Sequence, residues 1–137
     1  LRQVISAFVR EVRKATGTRR NSQHETLELL ENSGPLSVAE LARLRGVKHQ
    51  SMRLVAAELE QQQLVVRQKN PADSRAQLIR LTDDAHRQLA AARALRSEWI
   101  SRELHRKLDK ASQEDLRHGL AALRKLLDTG LQPPEDQ

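Results

Sequence analysis

Asp73 and Arg75 sit two residues apart between two short apolar runs, with Lys69 and the turn marker Asn70-Pro71 just ahead of them. Upstream, Lys48, His49, Gln50, Ser51 and Arg53 cluster at the start of a helical pattern. Most of these side chains donate hydrogen bonds, and the Lys and Arg among them carry positive charge. Arg and Lys pair with phosphate oxygens, Gln matches the edge of adenine, and Arg forks onto guanine. The chemistry they offer is recognition of a polyanion that displays base edges, which is double-stranded DNA.

Two kinds of element must position these groups. Leu64–Arg67 and Gln77–Leu81 have the β-branched, alternating character of a half-buried hairpin, and Arg75 stands at its tip. On such a support Arg75 can reach a minor groove, Asp73 can hold the loop through a local hydrogen bond, and Arg67 and Lys69 can meet the phosphate backbone. Ahead of the hairpin, the spacing predicts a helix from about Lys48 to Gln62. Met52, Val55, Ala56 and Leu59 line its inward side, with Gln50, Arg53, Leu54 and Ala57 opposite. Leu54 and Ala57 suit contact with thymine methyls, although Leu54 suits packing against the domain equally well. Gly34 to Leu59 therefore reads as helix-turn-helix, with a tight turn at Arg45-Gly46-Val47. Its short first helix opens on the capping box Ser37-Val38-Ala39-Glu40, buries Val38, Leu41 and Leu44, and stops at Gly46. Ser37 could serve as a plain N-cap or as a phosphate ligand.

The remaining chain reads as helix. Residues 1–15 are amphipathic, and a capping box at Ser22–Glu25 opens a second helix with Leu27 and Leu30 inward. Thr82 caps a fifth helix over 83–107. Ser112 is expected to cap a sixth, with Leu116, Leu120, Leu123 and Leu127 on one stripe, and the tail from Gly130 is expected to fray. The first residue is Leu1, so an N-terminal piece is expected to be missing. The domain reading follows: helical dimerisation segments at 1–20 and 108–137, a reading region at 21–82, and a long connecting helix at 83–107.

Composition removes several classes of function. The 137 residues include no Cys, which excludes disulfides, zinc–thiolate sites and thiol redox sensing. No long apolar run or export signal is present, so a cytoplasmic protein without membrane contact is expected. The five histidines do not fall at ligand spacing, and neither a glycine-rich phosphate loop nor a Gly-x-Ser-x-Gly elbow occurs. No metal, no cofactor and no enzymatic activity are therefore expected. The net charge of +6 is unevenly spread: residues 43–80 carry eight Lys or Arg against three acids, and residues 1–20 carry six against one.

Gly34-Pro35-Leu36-Ser37 with Glu40-Leu41-Ala42, then Glu58-Leu59-Glu60 with Leu64-Val65, resemble the multiple antibiotic resistance regulator (MarR) family. The most specific part is Asp73-Ser74-Arg75 followed by Leu81-Thr82. The resemblance implies a mainly α fold with a small β-hairpin wing: a winged helix-turn-helix of about six helices, dimeric through its first, fifth and sixth helices. It further implies a homodimeric transcriptional regulator, expected to be a repressor on a pseudo-palindromic operator and released by a small aromatic or anionic effector. Phe8, Val12, Arg13, His24, Leu27 and Trp99 are the candidate lining for that effector. The alternative is a winged-helix module that binds protein without specific DNA binding. Two residues depart from the family pattern: Gln63 stands where a helix-ending glycine is usual, and Leu54 where an arginine is frequent.

Overall fold

The computed structural model describes residues 1–128, and within them the apolar spacing becomes six helices and one hairpin. In chain order these are α1 (Arg2–Ala15), α2 (Ser22–Ser33), α3 (Val38–Arg45), α4 (His49–Gln61), β1 (Val65–Lys69), β2 (Gln77–Leu81), α5 (Asp83–Lys107) and α6 (Lys110–Asp128). Two compact units divide the chain, Leu1–Ser97 and the part from Glu98 onward. The tail from Gly130, expected to fray, lies outside the described residues. No described helix is long and apolar enough to cross a membrane.

The first unit is built around the inward stripes. Leu27 and Leu30 of α2, Leu41 and Ala42 of α3, Met52 and Leu59 of α4, Val65, Ile79 and Leu81 of the hairpin, and Ala85 and Leu89 of α5 form one buried cluster. Each fully buried Leu, Ile or Met side chain stabilises by roughly 1.5–3 kcal/mol, so this cluster holds α4 and the hairpin in place. The strands pair antiparallel in the register Val65 with Leu81 through Lys69 with Gln77. Leu36 joins them: its N–H donates to Ile79 O at 3.2 Å, and Ile79 N–H donates back to Leu36 O at 2.7 Å. The segment before α3 thereby becomes a one-residue third strand.

Polar groups set the helix ends, in places differently from expectation. Asn21, not Ser22, caps α2, its side-chain oxygen accepting His24 N–H at 2.8 Å. Ser22 and Glu25 serve Arg45 instead, at 2.8 and 2.6 Å, which ties α2 to the end of α3. The Ser37–Glu40 capping box forms as read. Leu44 is exposed, because the short α3 turns only Leu41 and Ala42 fully inward. β1 begins at Val65 and runs to Lys69, later than expected. In the second unit Asp109 caps α6 by accepting Ser112 N–H at 2.8 Å, so the helix starts before the expected Ser112 cap. None of the α6 residues is buried, and Leu116, Leu120, Leu126 and Leu127 are exposed. In the first unit α1 likewise exposes Val4, Ile5, Phe8 and Val9.

Gly46 ends α3 with φ +65°, the left-handed conformation that suits glycine. Gln63 adopts nearly the same backbone, φ +59°, at the exit of α4. A side chain there disfavours the left-handed geometry by about 1–2 kcal/mol, partly offset by the lower chain entropy of a non-glycine residue when unfolded. Gln63→Gly is therefore expected to raise unfolding free energy by about 0.5–1 kcal/mol, and Gly46→Ala to lower it by a similar amount. Urea denaturation of both variants measures the two signs.

Candidate nucleic-acid interface

The start of α4 presents a polar, cationic face. Lys48 is its N-cap residue, and Lys48, His49, Gln50, Ser51 and Arg53 are all exposed while Met52 and Ala56 beneath them are buried. The 3.6-residue period alone separates these two sets. Val47 N–H donates to Ala42 O at 3.0 Å, which closes the tight turn that aims α4.

The hairpin tip is held by its own side chains. Asp73 Oδ1 accepts Arg75 N–H at 3.0 Å, and Asn70 Oδ1 accepts Ala72 N–H at 3.0 Å. Across the neck, Asn70 N–H reaches Ala76 O and Ala76 N–H reaches Asp73 O, both at 3.1 Å. Asp73 thus fixes the backbone that carries Arg75, while the Arg75 and Lys69 side chains stand exposed.

Acids elsewhere absorb particular cations. Arg67 Nε donates to Glu60 Oε2 at 2.6 Å, a bridge from β1 back to α4, so the phosphate contact expected of Arg67 competes with an internal partner. Ser37 is similarly engaged: its hydroxyl accepts Glu40 N–H at 3.1 Å and lies 2.9 Å from Glu40 Oε1. Lys48, Arg53, Lys69 and Arg75 take part in none of the ion pairs among the described residues.

The candidate effector residues divide between the units. Phe8, Val12, Arg13, His24 and Leu27 lie in the first and Trp99 in the second. Val12 and Leu27 are core, and Phe8 is about half exposed. Arg13 donates to Thr18 O at 3.1 Å and lies 3.5 Å from Glu28, which also meets Arg20 at 2.8 Å and His24 at 3.2 Å. Arg13 Nε and Arg96 Nη1 are buried without a hydrogen-bond partner. Burial and the charge of Arg13 both lower the Arg96 pKa. Sequence reasoning missed Arg96, since only α5 packing brings it into this arginine cluster. A cleft of about 690 Å³ is lined by Ile5, Val9, Arg10, Arg13, Lys14 and Arg20 among others. No cluster of metal-ligating side chains occurs among the described residues.

The sequence profile of the MarR family matches residues 9–76. The chain belongs to the MarR family. Its fold matches a transcriptional regulator from Thermotoga maritima at 22% identity and TM-score 0.79, covering 93% of this chain and 91% of that one. YusO from Bacillus subtilis is 28% identical, with TM-score 0.67 and coverage of 90% and 86%. A mutant MepR from S. aureus, solved bound to an oligodeoxyribonucleotide, is 18% identical, with TM-score 0.69 and coverage of 91% and 96%. A search of curated proteins gives no match. The helix-turn-helix and hairpin described above are thus the winged helix of a MarR-family chain.

Burial raises the Glu28 pKa, but the hydrogen bond from Arg20 and the charges of Arg20, His24 and Arg13 outweigh it, leaving the net value lowered. A depressed folded value stabilises above the ordinary carboxylate range, and that stability is lost as pH falls. Glu28→Gln is expected to lower unfolding free energy at pH 7 by about 1 kcal/mol, discounted for partial exposure. The gap from wild type should close as pH falls below the ordinary 4.5 towards the lower folded value. Denaturation at a series of pH values measures it.

Proposed function

We propose that this MarR-family chain is a homodimeric, sequence-specific DNA-binding regulator, a repressor released by a small anionic or aromatic ligand. The observation that carries the reading is the set of unpaired, exposed cations Lys48, Arg53, Lys69 and Arg75 on the start of α4 and the hairpin. The oligodeoxyribonucleotide held by the similarly folded MepR mutant supports the same use. In the proposed complex α4 enters the major groove, with Gln50 and Arg53 against base edges and His49 and Ser51 beside them. Arg75 reaches the minor groove, Asp73 holds its loop, and Lys48, Lys69, Arg67 and Ser37 face phosphates.

A dimer accounts for the exposed apolar faces of α1 and α6, which a lone chain leaves in water. For the effector, Arg13 and Arg96 each bury an N–H that lacks an acceptor, and a carboxylate entering there would supply one. Phe8, Val12, His24 and Leu27, of the same unit, are the proposed surroundings. The cytoplasm is the proposed compartment.

Selection of bound duplexes from a random pool tests the whole reading. Two half-sites about one helical turn apart are expected, with affinity falling steeply between about 50 and 200 mM salt. Arg75→Ala should weaken the selected site by about 1–3 kcal/mol, and Lys69→Ala should reduce the salt slope by about one. Retention on DNA indifferent to both substitutions and to salt would favour protein contact as the role of this surface.

For the effector, benzoate is expected to weaken operator binding within the usual span of allosteric coupling, about 5- to 150-fold. Arg96→Gln should abolish that response while leaving the benzoate-free affinity unchanged. A full response in Arg96→Gln would remove Arg96 from the site.

A further inference from the structure

Leu54 is 58% exposed, on the same side of α4 as Gln50 and Ala57. Apart from Leu1 and α1, the exposed large apolar side chains of the first unit are Leu44, Val47, Leu54 and Leu95. Of these only Leu54 lies on α4, one turn beyond Gln50 and next to Arg53. It makes no part of the core, whereas Met52, Ala56 and Leu59 are buried on the opposite side of the helix. Its alternative role, packing against the domain, is thereby set aside.

Resting on the DNA-binding reading above, we infer that Leu54 is a specificity-determining residue that reads the 5-methyl group of a thymine in each half-site. Charge complementarity fixes the occupant. Lys48 and Arg53 on α4, with Lys69 and Arg75 on the hairpin that follows it, call for a polyanion, and the apolar surface a duplex offers in its major groove is the thymine methyl. Gln50 strengthens the case, since its amide matches adenine, whose partner base carries that methyl into the same groove. Residues four apart lie one above the other on a helix, about 6 Å along its axis, which is under two base-pair steps of about 3.4 Å. Gln50 and Leu54 can therefore both read A·T pairs that lie within two steps of each other. An arginine at this position would instead fork onto guanine, so leucine here turns the half-site from G·C towards A·T.

The test uses the full chain and its selected operator, with single thymines replaced by deoxyuridine, which removes only the methyl. One thymine per half-site is expected to weaken wild-type binding about fourfold on replacement, the equivalent of about 0.8 kcal/mol per buried carbon. Leu54→Ala, a truncation on the exposed side of α4, should bind thymine and uracil duplexes equally, whereas Lys69→Ala should keep the wild-type ratio. Leu54→Arg should move the preference at that pair to G·C. Wild-type affinity unchanged at every replaced thymine overturns the inference, as does a thymine-to-uracil ratio that survives in Leu54→Ala. A chain that retains no duplex, or captures only protein, overturns the DNA-binding reading and this inference with it. Selective binding with a ratio of one overturns the inference alone.

Discussion

The chain leaves α4 through one left-handed residue, and the aim of the hairpin depends on how that exit is held. Gln63 takes φ +59°. Leu64 N–H then returns to Leu59 O at 2.9 Å, and the Thr82 hydroxyl donates to Gln63 O at 2.8 Å while accepting Ala85 N–H at 3.2 Å. Thr82 N–H closes the ring onto Leu64 O at 3.0 Å. One threonine so joins the end of α4, the end of β2 and the start of α5. A two-stranded hairpin is marginal by itself. Here its direction is dictated by that ring, by the Leu36–Ile79 bridge and by the buried Val65, Ile79 and Leu81. Arg75 can act at a fixed distance from α4 only because all three constraints agree.

The acids around this unit are spent on geometry more than on neutralisation. Glu25 holds Arg45, Glu60 holds Arg67, and Asp73 gives its carboxylate to the loop backbone. Each contact stiffens a junction: α2 with α3, α4 with β1, and the loop with itself. Exposed ion pairs contribute little to stability, so their value here is positional. What remains after they are made is a set of cations with no internal competitor, and these sit where the rigid supports point them. Positive charge on such supports is worth more for recognition than the same charge on a mobile tail.

Most of the fold was legible because local rules and tertiary packing agree. The inward stripe of α4, the Ser37–Glu40 capping box, the span of α5 and the hairpin with its loop all follow from spacing and turn chemistry. The misreadings have physical causes. Ser22 looked like the cap of α2 because it precedes Glu25 at capping-box spacing, but Asn21 is as good a cap and leaves Ser22 and Glu25 for Arg45, a long-range partner. Asp109 captured the start of α6 in the same way. Leu44 was assigned to the core on periodicity, but at 3.6 residues per turn it is rotated off the face that Leu41 and Ala42 share, and it stays exposed. The Leu36 strand bridge was not legible either, because it depends on Ile79, far along the chain. At the site, the exposed polar residues of α4 and the loop role of Asp73 were readable, whereas Arg96 was not. Its buried N–H exists only once α5 is packed.

Arginine and leucine at one position of a reading helix divide the work of recognition differently. An arginine contributes both charge and a directional fork, so it adds affinity on any duplex through the surrounding phosphate field as well as selectivity on one. A leucine adds nothing on the wrong sequence, since it finds no methyl and displaces water from polar base edges that then go unpaired. In the proposed complex, non-specific attraction is therefore left to Lys48, Arg53, Lys69 and Arg75, and Leu54 acts by penalising mismatched pairs rather than by strengthening every encounter. The remaining cations can be lost to salt together while this apolar term persists, because burying a methyl releases no counterion. A reader built this way keeps its discrimination at ionic strengths where its overall grip has weakened, and that separation of grip from choice follows from Leu54 standing where the family pattern often has an arginine.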